Sequence, residues 1–361
     1  MTISDKYLFS DPSEASVLAE VLNHRQLSGT SAVIDEYEAA LSAFFNSRFA
    51  VATSSGSAAI HAALLTIGVE AGDEIIIPAI APIPSGLPIL TLKAIPVFVD
   101  VLPGGIEIDL DDLQKKISPK TKCVMTVPLW GYPISLAGLR SLIDSKGIPL
   151  IEDAAQAHGA SLDGRLCGTH GAIGCFSTHD RKILSTGEGG FILTDSQDLA
   201  NRIRRFCQLG FLDGEHYGVN YKISSLAAGL GVFRINRIQS QIEIRAANAR
   251  KILGGIQNAD VREIGYSSAG KPNYYSLTLH IQSGTDVFHR LSEALLKLGI
   301  QSDAAKYGYT TLYNRPLFSQ FRSQCPHADA LVKELIQIPV HPGLSSEEVD
   351  ALAETIFEAT S

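Results

Sequence analysis

Between residues 48 and 195, seven short β-rich runs, at 49–53, 74–78, 96–101, 123–127, 149–152, 173–177 and 190–194, alternate with segments of helical apolar spacing. Runs such as EIII, IPVFVDV and CVMTV are apolar on both alternating faces, the pattern of strands covered by helices on each side. The alternation predicts an α/β fold around a mostly parallel seven-stranded sheet sandwiched by helices. Segments 58–66 and 135–145 read as helices of that cover, and 226–252, free of proline and apolar with a period of about 3.6 residues, reads as one long helix leading out of it. From about residue 255 the pattern changes. An apolar run at 274–281 and helical patterns at 286–298 and 347–359 predict a smaller C-terminal α+β domain, dividing the chain into 1–250 and 251–361. Helical patterns at 15–22 and 33–45 predict an N-terminal segment packed across one or both domains.

With 361 residues, 45% of them hydrophobic and 19% charged, the chain can bury a large core. Its 30 Lys+Arg against 38 Asp+Glu leave a net charge of −8, which offers no broad footprint for nucleic acid. The apolar stretch 75–92 is interrupted by four prolines and one glycine, so it cannot form a membrane helix of about 20 residues. The opening MTISDKYLFSDPSEAS lacks a basic start and an apolar centre, and a cytoplasmic protein is expected. Cysteines at 123, 167, 175, 207 and 325 form no CxxC pair, so buried reduced thiols are expected rather than disulfides or a metal site.

Ligands of open α/β sheets gather at the C-terminal ends of the strands. Three loops there are chemically unusual. Thr53-Ser54-Ser55-Gly56-Ser57-Ala58-Ala59 is either an ordinary serine cap or a helix N-terminus whose exposed N–H groups bind a phosphate. Asp153, after the apolar strand IPLI, either caps its own backbone or meets a cation, because a buried carboxylate is costly alone. Lys182, in FSTHDRKILSTGEGG, is either a solvated surface group or a desolvated amine able to form a Schiff base. A phosphate cradle, a buried carboxylate and an amine on one sheet are together what pyridoxal phosphate requires.

The chain also resembles the DegT/StrS family of fold-type I pyridoxal-phosphate aminotransferases, which aminate keto-sugars and cyclitols. The resemblance rests on SSGSAAIHAAL at 54–64, GDEIIIPA at 72–79, PVFVDV at 96–101, IEDAAQAHGA at 151–160, FSTHDRK with TGEGG at 176–190, GVNYKISSLAAGLG at 218–231 and IPVHPGLS at 338–345. It implies an amino donor such as glutamate or glutamine, a ketone acceptor, and Lys182 as the internal aldimine and proton carrier. It further implies Asp153 on the pyridinium, Gln156 beside the ring, and the phosphate on Ser177 and the backbone of Gly56, Ser57 and Ala58. Asn220 would reach the phosphate of a neighbouring subunit, giving a homodimer with shared sites.

Two departures stand out. The family's ring-stacking aromatic is missing from 78–84, where Pro82 fills the slot, and 126–131 reads TVPLWG where relatives more often show PVHLYG. Trp130, His179 and Arg181 are therefore candidate substrate contacts. The rival readings are a dehydratase or other carbanion chemistry on the same scaffold, and a non-catalytic regulatory homologue. Lys182 argues for transamination, since histidine replaces this lysine in the family's sugar 3-dehydratases.

Overall fold

The computed structural model describes residues 2–23, 26–282, 286–301 and 306–361. Its main sheet contains β1 (Phe49–Thr53), β2 (Glu74–Pro78), β3 (Ile95–Val99), β4 (Thr121–Thr126), β5 (Leu150–Asp153), β8 (Ile173–Ser177) and β9 (Gly190–Thr194), in the order β1-β9-β8-β5-β4-β2-β3. All seven expected runs are present, and their apolar faces are covered on both sides. The sheet is mostly parallel, with β9 antiparallel to both β1 and β8. Parallel neighbours need a long crossover; β8 and β9 are instead joined by loop 178–189, which carries Lys182.

Two short antiparallel sheets accompany it. One is formed by β6 (Ser161–Leu162), β7 (Arg165–Leu166) and β11 (Gly270–Lys271), the other by β10 (Val261–Glu263), β12 (Leu277–Ile281) and β13 (Leu335–Ile338). The latter sheet has with it helices Asp286–Lys297 and Ser346–Thr360, and a serine capping box at Ser345 and Glu348 opens the second of these.

The expected single helix over 226–252 is two helices, Ser225–Ile235 and Ile238–Leu253, separated by Asn236 and Arg237. Each half buries its own stripe. The first lies so close to the N-terminal helices that a Cβ on Gly229 would meet Val21 at 2.6 Å and one on Gly231 would meet Tyr37 at 2.3 Å. The second half packs on the closing helix, and its last turn spans position 250. Another helix, Ile83–Thr91, forms in the proline-rich stretch, with proline in its first turn and Pro88 inside.

The N-terminal segment touches both halves of the chain. Ile3 N–H donates to Leu298 (2.7 Å), the Ser4 carbonyl bonds His341 Nε2 (2.9 Å), and Glu14 pairs with Arg234 at 2.6 Å. All five cysteines are free and buried. Among the described residues, no helix is long and apolar enough to cross a membrane, and no cluster of His, Cys, Asp and Glu could hold a metal.

Candidate active site

A cavity of about 350 Å³ opens where β1, β5 and β8 end, and the three unusual loops form its wall together with the start of helix Ile83–Thr91. Ser55, in extended conformation, caps helix Gly56–Thr66 by accepting the Ala58 N–H at 3.1 Å. Ala58 is therefore engaged in the cap, is buried, and does not line the cavity. Gly56 and Ser57 do line it, and their N–H groups have no acceptor among the described residues, as the first turn of a helix leaves them. A Cβ at Gly56 would stand 2.7 Å from Ser177 Cβ, so glycine is what lets this turn approach the end of β8. The result is a compact patch of free N–H and hydroxyl groups at the positive end of a helix.

Asp153 is buried at the end of β5 and accepts from Ser85 Oγ (2.5 Å) and the Ala155 N–H (3.2 Å). Burial raises its pKa above the ordinary value, against the opposing pull of these two bonds and of the Lys182 charge. A carboxylate in that position gains from a cation placed against it.

Lys182 also lines this cavity and is half-buried, its Nζ 5.0 Å from the centroid of the Tyr275 ring, and forms no ion pair among the described residues. Its loop is pinned as a closed turn: Thr178 N–H donates to Gly189, Asp180 N–H to Gly187, and the hydroxyls of Thr178 and Thr186 meet at 2.6 Å. Gly187 and Gly189 have φ of +86° and +154°, so the TGEGG run supplies backbone that L-residues rarely adopt. Behind this wall His158 is buried against Phe176, and burial lowers its pKa to about 3, keeping the ring neutral.

Gln156 stands between this cavity and a second one of about 180 Å³. Its Oε1 accepts the Trp130 N–H at 2.6 Å, leaving the amide NH₂ as its remaining donor. Trp130 is buried with φ of +54°, a strained setting for a bulky side chain, and lines the second cavity with Arg181. Arg181 Nη1 donates to Tyr307 Oη at 2.8 Å. His179 and Pro82 lie on the first cavity, Pro82 as the cap residue of Ile83–Thr91. Asn220 is exposed, bridges Gln208 and lines neither cavity of this chain.

Four residues at the site carry no sequence signal of their own. Ser85 bonds Asp153, Tyr275 lies against Lys182, Asn273 Nδ2 holds the Gln156 carbonyl (2.9 Å), and Arg245 lines the second cavity. Only the proximity of Ser85 to the proline-rich strand end could have drawn attention to any of them.

Residues 10–357 match the DegT/DnrJ/EryC1/StrS aminotransferase family. GDP-perosamine synthase of Vibrio cholerae is 28% identical over 96% of this chain and 96% of its own. L-glutamine:2-deoxy-scyllo-inosose aminotransferase of Streptomyces kanamyceticus is 41% identical over 42% of this chain and 36% of its own. The solved sugar aminotransferase CalS13 of Micromonospora echinospora superposes with a TM-score of 0.89 at 26% identity, covering 99% of this chain and 100% of that one. Because the match runs through the main sheet, the lysine loop and the closing helix alike, the chain belongs to the DegT/DnrJ/EryC1/StrS family and is a pyridoxal-phosphate-dependent aminotransferase.

Proposed function

We propose that this aminotransferase passes an amino group from glutamate or glutamine to a keto-sugar or cyclitol ketone, in sites completed by a second copy of the chain. The observation that carries the reading is the convergence of the free N–H patch, Asp153 and Lys182 on one cavity. The relatives support the substrate classes, one being named a sugar aminotransferase and one acting on L-glutamine and 2-deoxy-scyllo-inosose.

When bound, pyridoxal phosphate supplies an aldehyde that condenses with amines and a ring that accepts an electron pair. The N–H groups of Gly56 and Ser57, with the hydroxyls of Ser57 and Ser177, would hold its phosphate. Asp153 would keep the ring nitrogen protonated, Gln156 would offer its amide to the phenolic oxygen, and Pro82 would provide a flat apolar wall. Lys182 Nζ would hold the aldehyde at rest, and would take up the proton from the donor carbon and supply one to the acceptor carbon. Residues 1–250 would form the cofactor-binding unit and 251–361 the unit closing over it, consistent with a second cavity walled from both. Free, buried thiols fit a reducing cytoplasmic setting.

The acceptor is tested by loading the enzyme with pyridoxamine phosphate and offering nucleotide-linked keto-sugars, cyclitol ketones and simple keto acids. The visible band of the aldehyde form is expected to return with a keto-sugar or cyclitol; return with keto acids alone would remove that acceptor class.

Support for the second copy comes from loop 209–217. Leu209, Gly210, Phe211 and Leu212 have φ of +58°, +63°, +57° and +58°, a left-handed turn costing roughly 1–2 kcal/mol per non-glycine residue. Leu212 and Tyr217 on this loop are each 80% exposed, and Asn220 follows them. Strained apolar backbone of this kind is stabilised when another surface covers it. Mixing inactive Lys182→Ala with inactive Asn220→Ala subunits should restore activity through hybrid sites; no rescue after confirmed subunit exchange would exclude sharing through Asn220.

A further inference from the structure

We propose that the second cavity, beside Lys182, is the carboxylate subsite for the amino donor, with Arg245 as its anion-binding residue; this rests on the transaminase reading above. Arg245 sits on helix Ile238–Leu253 and is 4% exposed. Its Nη1 donates to the carbonyls of Tyr274 (3.2 Å) and Tyr275 (3.1 Å), while Nε is buried without a partner among the described residues. No carboxylate lies within ion-pair distance of it among the described residues. Burial lowers its pKa to about 10, so the guanidinium remains charged at neutral pH. A buried cation with no counter-charge is a costly arrangement unless a ligand supplies the anion.

The cavity suits such a ligand. Among the described residues, the one acid on its wall, Asp5, is already paired with Lys306, while Lys6, Arg181 and Arg245 all line the wall. His341 is a second unsatisfied group there: its Nε2 bonds the Ser4 carbonyl at 2.9 Å, and its buried Nδ1 has no partner among the described residues.

The position also fits the chemistry. Tyr275 accepts from Arg245 through its carbonyl and faces Lys182 Nζ with its ring, and Gln156 lines both cavities. An amino-acid donor carries its α-carboxylate one bond from the reacting carbon, so its anion must bind close to the lysine. The carbonyl end of a sugar or cyclitol acceptor is neutral and has no use for a buried guanidinium.

The test uses the holoenzyme, with glutarate as a non-reacting probe and the donor and acceptor half-reactions measured separately. Arg245→Met is expected to weaken glutarate binding and raise the donor KM by roughly 30- to 1,000-fold. The cofactor's visible band and the acceptor half-reaction should stay near wild-type, and Arg245→Lys should recover part of the loss. Unchanged glutarate binding, or equal loss in both half-reactions, would overturn the subsite. Loss confined to the acceptor half-reaction would overturn its assignment to the donor. Should Arg245→Met not fold, Arg245→Lys carries the test alone, because it keeps the charge and loses the fork: weaker glutarate binding supports the subsite and unchanged binding overturns it. A wild-type enzyme converted by neither glutamate nor glutamine would instead sink the donor reading itself.

Discussion

Lys182→Ala is expected to bind the cofactor without the wild-type visible band and to lose at least about 10⁴-fold in turnover, because in the proposed mechanism one amine would both hold the aldehyde and move the proton. The geometry supports both duties. Lys182 Nζ lies against the Tyr275 ring, free of any ion pair among the described residues, on a loop pinned by the Thr178 and Thr186 hydroxyls and by glycines at positive φ. Absorbance of the purified variant and single-turnover assays with an amino acid check the prediction. Turnover within tenfold of wild-type would transfer the proton step to another group; a retained band would place the covalent link elsewhere.

Asp153→Asn is expected to act in opposite directions on activity and stability. In the enzyme with cofactor, losing a buried carboxylate that faces a cation is expected to cost about 3–5 kcal/mol, or roughly 150- to 5,000-fold in rate. In the cofactor-free protein the same substitution should stabilise. Burial raises the folded-state pKa of Asp153 above 3.8, so the folded chain holds this proton more tightly than the unfolded one. Stability therefore falls as pH rises from that ordinary value through the folded pKa, and the cost is fully present at higher pH. Asparagine removes the charge and keeps an oxygen for Ser85. Thermal midpoints of the cofactor-free proteins should favour Asp153→Asn at neutral pH and converge near pH 3.8. An unchanged rate in the loaded variant would refute the role of Asp153; a less stable cofactor-free variant would refute the claim that its burial outweighs its hydrogen bonds and the Lys182 charge.

Much of this site was legible from local pattern. Gly56, Ser57, Asp153, Gln156, Ser177 and Lys182 all line one cavity because each ends or follows a strand of the same sheet, and strand ends are readable from apolar runs. Ala58 illustrates the limit of that reading. Its position in the turn suggested a phosphate contact, but which first-turn N–H is consumed depends on the rotamer of Ser55, and that side chain takes the Ala58 N–H. The helix Ile83–Thr91 was hidden by its prolines, which a first turn tolerates. The division at Asn236 and Arg237 was hidden because periodicity records that a helix is amphipathic and not which neighbour its stripe meets.

Sequence alone determined the parallel-sheet architecture, the three loops and the kind of cofactor they serve, because two-sided strand burial and turn chemistry are local properties of the chain. Tertiary structure decided what surrounds them. Ser85 reaches Asp153 across 68 positions, and Arg245 meets the Tyr274 and Tyr275 carbonyls across 29 and 30. Arg245 and His341 reach one cavity from separate parts of the chain, and no local pattern encodes such meetings. A buried charge or an unpaired ring nitrogen exists only once distant segments have packed around it and excluded water.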